Sequence, residues 1–369
     1  MVLSLFNRKK VNKTRGGAAY YHLTVKKIIR ETDDAISIVL DNSGNEITYK
    51  PGQFITLVIN MDGEEIRRPY SISSSPDAGS DLVITLKKLD TGKVSAYLVD
   101  ELEPGHKIKI LAPSGNFTID FDANNDRTFI FFAGGSGISP LMSILKTALV
   151  REPQSKMLLI YQNRCEETII FNKSIDELLS KYPDRIHVIH ILSQPSDSWK
   201  GLSGRLYPEL IKSIFQQHGV PFENSVISIC GPGAFMDMID STLDELGFKR
   251  ENRYRENFYS REATEILKDN PDPEGKENFE STVTILLDNE EHILKIKSDE
   301  FILETALDMN LNMPFSCQSG ICTTCRGKLI SGEVIMEDPE GLSEEEIEAG
   351  YILTCVSHPD SKELKIQME

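Results

Sequence analysis

The stretch Pro314–Cys325, PFSCQSGICTTC, sets Cys317, Cys322 and Cys325 in a C-x4-C-x2-C pattern, and Cys355 follows within Tyr351–Ser357. Three thiolates on one loop and a fourth from a distant segment match the ligand spacing of a [2Fe–2S] cluster. Iron bridged by sulfide favours soft anionic thiolates, and a loop wrapped round it needs small residues, here Ser316, Ser319, Gly320, Thr323 and Thr324. Backbone N–H groups then approach the sulfurs and tune the potential. A structural zinc site is the alternative, yet zinc usually takes paired C-x2-C elements and this chain has one.

The 369 residues exceed what one core usually supports, so two or three domains are expected. With 40% hydrophobic and 26% charged residues, the composition is that of a folded soluble protein rather than a disordered one. No run has the length and freedom from charge of a membrane span, and MVLSLFNRKK lacks the order of a secretory signal. Four of the six cysteines are expected ligands, leaving Cys165 and Cys230 in unrelated contexts, which fits a reducing cytoplasm. A net charge of −17 argues against a sequence-independent grip on nucleic acid. Ser281–Glu369 holds 18 acidic and 6 basic residues, a net of −12. That surface either aids solvation or steers the cluster-bearing part toward a basic electron-accepting partner.

After an arm at 1–18, short alternating runs at Tyr20–Ile28, Ala35–Leu40, Phe54–Ile59, Leu82–Leu86 and Lys107–Leu111 are punctuated by turn residues. They predict an antiparallel barrel over 19–124. Arg67-Arg68-Pro69-Tyr70-Ser71 lies on or just after a strand and supplies a guanidinium for phosphate, an aromatic face for a ring system and a hydroxyl for a ring heteroatom. Gly92 and Ser95 open a short helical pattern through Val99, an anion site at a helix start.

From residue 125 to 261 strands alternate with helices, predicting a doubly wound parallel sheet. The apolar strand Arg127–Ala133 runs straight into Gly134-Gly135-Ser136-Gly137-Ile138-Ser139-Pro140 and the helix Leu141–Arg151. Such a turn lets backbone N–H groups face a pyrophosphate, although it is not G-x-G-x-x-G, and a tight turn without ligand is the plainer alternative. Further strands are expected at Met157–Tyr161, Ile186–Leu192 and Ser225–Ile229, the last ending in Cys230-Gly231-Pro232 where open sheets bind ligands. Cys230 reads equally well as a small buried hydrophobe.

Glu262–Glu280 is polar, acidic and rich in Pro and Gly, a tether in composition. Residues 281–369 then offer a hairpin (Thr282–Leu287, His292–Lys297) around Asp288–Glu291, a helix near Phe301–Met309, the cysteine loop, and closing runs at Gly332–Met336 and Tyr351–Cys355. Glu344–Glu346 are expected to cap or solvate a short helix near Ser343. No carboxylate–histidine constellation suggests hydrolysis; His187 and His190 point to opposite strand faces and read as structural.

The order R-P-Y-S, G-G-S-G-I-S-P, C-G-P, E-N-F and C-x4-C-x2-C…C resembles the ferredoxin-NADP reductase superfamily, in its members with a C-terminal plant-type [2Fe–2S] ferredoxin domain. The resemblance covers nearly the whole chain from Tyr20. It implies a multidomain fold of antiparallel β-barrel flavin domain, α/β doubly wound nucleotide domain and β-grasp (α+β) ferredoxin domain. By the same resemblance FAD, rather than FMN, is held by Arg68 at its phosphates, with Pro69 in the motif, Tyr70 against the ring, Ser71 near N5, and Gly92 and Ser95 as a second phosphate segment. Gly134, Gly135, Gly137 and Pro140 match G-G-x-G-x-x-P, Cys230 orients the nicotinamide, Glu256 lies beside it and Phe258 covers the flavin. Arg164, in a Y-x-N-R pattern, and Arg205 are candidates for a 2′-phosphate and favour NADPH over NADH, though the family's Ser-Arg pair stands here as Ser193-Gln194. Cys317, Cys322, Cys325 and Cys355 hold the cluster.

The implied activity is that of an NAD(P)H-dependent oxidoreductase, passing electrons through FAD and the cluster to a separate oxygenase, epoxidase or desaturase component in the cytoplasm. A stand-alone flavin or quinone reductase and a non-catalytic redox sensor are the alternatives. The long tether leads to the expectation that the ferredoxin domain swings between flavin and external acceptor.

Overall fold

The computed structural model describes residues 12–13, 19–45, 47–77, 79, 81–89, 92–257, 279–337, 339 and 341–368. Phe258, most of the N-terminal arm and positions 262–278 of the expected tether lie outside the described residues.

In the first region the alternating runs become strands β1 (Asn12–Lys13), β2 (Ala19–Thr32), β3 (Ala35–Asp41), β4 (Phe54–Met61), β5 (Glu64–Ser71), β6 (Leu82–Lys87) and β7 (Lys107–Leu111). Helix α1 (Lys93–Asp100) precedes β7. Six strands pair antiparallel in the order β5-β4-β7-β2-β3-β6, and a bridge between Ile72 and Ile84 joins the two ends into a barrel. Inward residues Leu23, Ile36, Ile38, Ile55 and Leu57 fill it. The R-R-P-Y-S motif forms the second half of β5, folded on β4 through Asp62 and Gly63 at φ 55° and 89°. Pro69 hides this strand from a periodicity reading; it is tolerated because β5 ends the hydrogen-bonded order and needs no donor there.

The second region contributes β8 (Thr128–Gly134), α2 (Ile138–Arg151), β9 (Lys156–Asn163), α3 (Asn172–Lys181), β10 (Ile186–Leu192) and β11 (Leu202–Ser203). It continues through α4 (Pro208–His218), β12 (Ser225–Cys230), α5 (Gly233–Glu245) and β13 (Arg253–Glu256). The strands are parallel in the order β11-β10-β9-β8-β12-β13. Phe129 and Phe131 of β8 enter one core while Ile130 and Phe132 enter another, so helices cover both faces and the strand reads as an unbroken apolar run. Strand order reverses between β8 and β12, which places a crevice beyond their C-terminal ends.

Helix α2 begins at Ile138, three residues earlier than the sequence suggests, because Pro140 fits within a first turn whose N–H groups have no helical partners. One face of α2 carries Ser139, Ser143 and Thr147, spaced by four and fully buried. Their hydroxyls donate to the Thr85 carbonyl (3.1 Å), the Ser74 carbonyl (2.6 Å) and Ser75 Oγ (2.9 Å), fastening the helix to the barrel.

The third region folds as β14 (Glu280–Leu287), β15 (Glu290–Lys297), α6 (Ile302–Asp308), β16 (Arg326–Ser331), β17 (Val334–Met336), α7 (Glu344–Glu348), β18 (Tyr351–Leu353), β19 (Ser357–Pro359) and β20 (Glu363–Met368). The main sheet runs β15-β14-β20-β16-β18, with β14 and β20 parallel, and α6 buries Ile302, Leu303 and Ala306 against it. The first hairpin turns at Asp288 and Asn289 alone, both left-handed at φ 51° and 67°, a tighter turn than the four residues expected. Ser343 caps α7 reciprocally with Glu346. The three-domain architecture thus matches the expectation from sequence. Among the described residues no helix is long and apolar enough to cross a membrane.

Candidate functional site

The cysteine loop is wound tightly. Gln318 and Gly320 take left-handed conformations at φ 57° and 74°, folding the chain so that the Ser319 and Cys322 N–H groups donate to Cys317 Sγ at 3.4 and 3.3 Å. All four cysteines are 1–4% exposed. Cys355 sits in a single turn, Thr354–Val356, beyond β18 rather than on a strand as expected, and Thr354 donates through N and Oγ1 to the Cys325 carbonyl at 3.2 and 3.0 Å. The sulfurs fall into two pairs, Cys317 with Cys322 and Cys325 with Cys355. The Cys322 thiol pulls Cys317 down to about 6 against the opposing effect of burial, aided by those backbone donors, and Cys355 lowers Cys325 in the same way. Among the described residues no three ligand side chains gather round one point. Four buried thiols, three from one loop and the fourth from a distant turn, fit the ligand set of a [2Fe–2S] cluster.

Beside this loop one cavity collects the rest of the flavin motif. Arg68, Tyr70 and Ser71 from β5, Gly92 and Ser95 at the start of α1, and Glu256 at the end of β13 line it together with Cys317–Ser319 and Ile321. A guanidinium, an aromatic ring, a hydroxyl and a helix N-terminus converging on one cavity suit a nucleotide bearing a ring system. Ser95, which lines the cavity, also holds the turn. Its hydroxyl accepts from the Leu89 N–H (3.1 Å) and donates to the Gly92 carbonyl (3.0 Å). A side chain at Gly92 would meet Ser95 Oγ at 2.5 Å.

The glycines after β8 divide the work. Gly135 is left-handed (φ 53°) with open space about it. Gly137 and Gly134 face the β12 end, where an added Cβ would lie 2.2 Å from the Cys230 carbonyl oxygen and 2.8 Å from Pro232 Cδ. They bring the two strand ends of the crevice together. Tyr161 from β9, the first residue of the Y-x-N-R pattern, donates to the Gly135 carbonyl at 3.1 Å. Cys230 and Glu256 are direct partners in the β12–β13 ladder, so the fully buried thiol and the 2% exposed carboxylate sit side by side at the C-terminal edge. Arg164, Gln194 and Arg205 follow the C-terminal ends of the adjacent strands β9, β10 and β11, both arginines exposed. The expected cover Phe258 lies outside the described residues.

A barrel with a flavin motif, a parallel sheet with a nicotinamide crevice and a cluster loop over the first define a flavin and iron–sulfur oxidoreductase. The chain matches the Oxidoreductase FAD-binding domain over residues 21–119, the Oxidoreductase NAD-binding domain over 131–241 and the 2Fe-2S iron-sulfur cluster binding domain over 285–360. It is 34% identical to the ferredoxin reductase component of 3-ketosteroid-9-alpha-monooxygenase from Rhodococcus rhodochrous, over 94% of this chain and 96% of that protein. It is 31% identical to one of the subunits of 1,2-phenylacetyl-CoA epoxidase from Escherichia coli (strain K12), over 95% of this chain and 98% of that protein. Phthalate dioxygenase reductase, solved as a modular structure for electron transfer from pyridine nucleotides to [2Fe–2S], shares the fold with a TM-score of 0.59, 22% identity and coverage of 95% and 98%. The chain belongs to the family of ferredoxin reductase components that join FAD-binding, NAD-binding and 2Fe–2S domains, and it is an oxidoreductase of that type.

Proposed function

We propose that this chain is the reductase component of a cytoplasmic oxygenase or epoxidase system, drawing electrons from NADPH, or from NADH, and delivering them singly to a separate oxygenase component. When bound, FAD accepts a hydride and the [2Fe–2S] cluster relays single electrons. The chain's own residues bind, orient and shield. Arg68 and the backbone N–H groups after Gly92 neutralise the flavin phosphates, Tyr70 and Pro69 pack on its ring, and Ser71 holds the ring by its hydroxyl. Gly134, Gly135, Gly137 and Pro140 shape the pyrophosphate turn, and Cys230 beside Glu256 seats the nicotinamide with water excluded. Cys317, Cys322, Cys325 and Cys355 hold the cluster. Arg164 and Arg205, at neighbouring strand ends, favour a 2′-phosphate and hence NADPH. The three working units span 19–124, 125–261 and 281–369.

The observation that carries this reading is the shared cavity, which the flavin motif lines together with Cys317 and its neighbours in the cysteine loop. Anaerobic titration of the purified protein with NADPH and with NADH, followed by absorbance, tests it. Flavin bleaching followed by cluster bleaching is expected, with NADPH effective at the lower concentration. Cys322→Ser is expected to abolish reduction of cytochrome c while keeping NAD(P)H-to-ferricyanide activity; a variant that keeps both activities takes the cluster out of the path.

A further inference from the structure

The outward face of β4 is buried under the cluster loop. Ile55, Leu57 and Ile59 point into the barrel, so Phe54, Thr56 and Val58 point out, yet Thr56 is 1% exposed and Phe54 packs on Cys317 and Cys322. Three consecutive residues of the ferredoxin domain each meet one barrel side chain. Ser316 Oγ is hydrogen-bonded to Thr56 Oγ1 at 3.0 Å, and Cys317 lies on Phe54. Phe315 is held twice: Arg67 Nη1 donates to its carbonyl at 2.7 Å, and the guanidinium lies 3.8 Å from its ring centroid. The rest of the Arg67 fork is committed to Glu65 Oε1, through Nε at 3.1 Å and Nη2 at 3.0 Å, and Lys109 binds the other Glu65 oxygen at 3.0 Å. Arg67 also lines the cavity, but its side chain is 11% exposed and its Nε, Nη1 and Nη2 each donate to protein.

We propose that Arg67 is a positioning residue for the electron-transfer step, seating Phe315–Cys317 on the barrel so that the cluster loop closes the flavin cavity. This role rests on the functional reading above. Two electrons enter as hydride from NAD(P)H, leaving NAD(P)⁺. Bound flavin would pass them on one at a time, each reducing the cluster by one electron before an external acceptor reoxidises it, and the proton that arrived with the hydride would be released to solvent. Arg67 alters neither electron nor proton count; it sets how often the two centres stand at transfer distance. Lysine lacks the planar fork that donates and stacks at once, so it replaces arginine poorly here.

The test is anaerobic stopped-flow mixing of NADPH with holoprotein, resolving flavin reduction from cluster reduction, together with hydrogen exchange at residues 54–58. Arg67→Ala is expected to keep FAD and iron content and the flavin-reduction rate, to slow cluster reduction at least tenfold, and to raise exchange at 54–58. Arg67→Lys is expected to fall between. Should Arg67→Ala fail to fold, Phe315→Leu, which keeps the carbonyl and loses the stacking, is expected to slow cluster reduction severalfold. An unchanged cluster-reduction rate in these variants overturns the proposal, as does loss of FAD from Arg67→Ala, which would make Arg67 a flavin ligand. A wild-type cluster that NADPH does not reduce overturns the functional reading and this proposal with it.

Discussion

The barrel is held by its two neighbours in opposite ways. Against the nucleotide domain it shares a continuous core, in which Ala35, Phe117 and Ile119 pack with Phe129, Ile138 and Ile144. Buried hydroxyls of α2, the Arg151–Asp77 pair at 2.8 Å and Glu31 accepting from the Phe171 N–H at 3.2 Å fasten that seam. Against the ferredoxin domain, among the described residues, the seat is a small one: Phe54 packs on Cys317 and Cys322, and beside it lie Arg67 with Phe315, Thr56 with Ser316, and Asn116 donating to the Gly341 carbonyl at 3.0 Å. Hydride transfer requires flavin and nicotinamide in contact, so their two domains are fused through a core. Single-electron transfer tolerates a looser seat, and one small apolar cluster with a few polar contacts releases more easily than a continuous core.

Breaking the fused seam should show the largest effects. Gly52 is at φ 92°, and an added Cβ would lie 1.9 Å from the Phe117 carbonyl oxygen and 3.1 Å from Ile144 Cδ1. Gly52→Ala is expected to destabilise by roughly 4 kcal/mol or more, read as a fall in the denaturant midpoint or as failure to fold. Ser143→Val removes the donor to the Ser74 carbonyl in a fully buried site and is expected to cost about 2 kcal/mol.

The connector between the two domains offers a pH test. Burial pushes the Glu152 carboxyl up, but donation from Arg127, Asn125 and Ser155 outweighs it and leaves the group below its ordinary range. A depressed carboxyl contributes stability above the unfolded glutamate range and loses it as pH falls through the folded value. Glu152→Gln is therefore expected to be less stable than wild type by roughly 1 kcal/mol at pH 7, with the gap closing as acid is added; a gap constant across pH 7 to 3 would show that the charge is not what matters. The smallest effect belongs to the looser seat. Asn116→Ala is expected to move global stability by about 0.5 kcal/mol or less, yet to raise protease sensitivity near Gly341; unaltered cleavage there would mean that the contact does not hold the domains together.

How far the sequence reveals this arrangement depends on whether a feature leaves a local trace. The cluster-binding domain is legible because thiolate chemistry dictates cysteine spacing, and β8 is legible because burial on both faces makes it uniformly apolar. The Cys230–Glu256 pairing follows from two motifs, each ending a strand, once the strands are adjacent. The domain seams leave weaker marks. Arg67 hides beside Arg68 in one motif, and its partner Phe315 lies 248 positions away with no periodicity to link them. The stripe Ser139, Ser143, Thr147 has a legible four-residue spacing, but small hydroxyls on a helix read as surface until something covers them. Ser95 is legible as a helix-start residue, while the destination of its hydroxyl is set by a turn that only the fold displays.

The pairing of sulfurs has a topological consequence. Cys317 and Cys322 close a small ring within one loop, whereas Cys325 and Cys355 span about 30 residues. An iron held by that second pair would act as a clasp on the strand pair β16–β18 and the helix α7 between them. A covalent link closing a ring of that length restricts the unfolded chain by about 3–4 kcal/mol in the chain-entropy account of disulfides. Filling the inorganic centre would therefore also stabilise the pairing of β16 with β18, since Cys325 and Cys355 flank that strand pair.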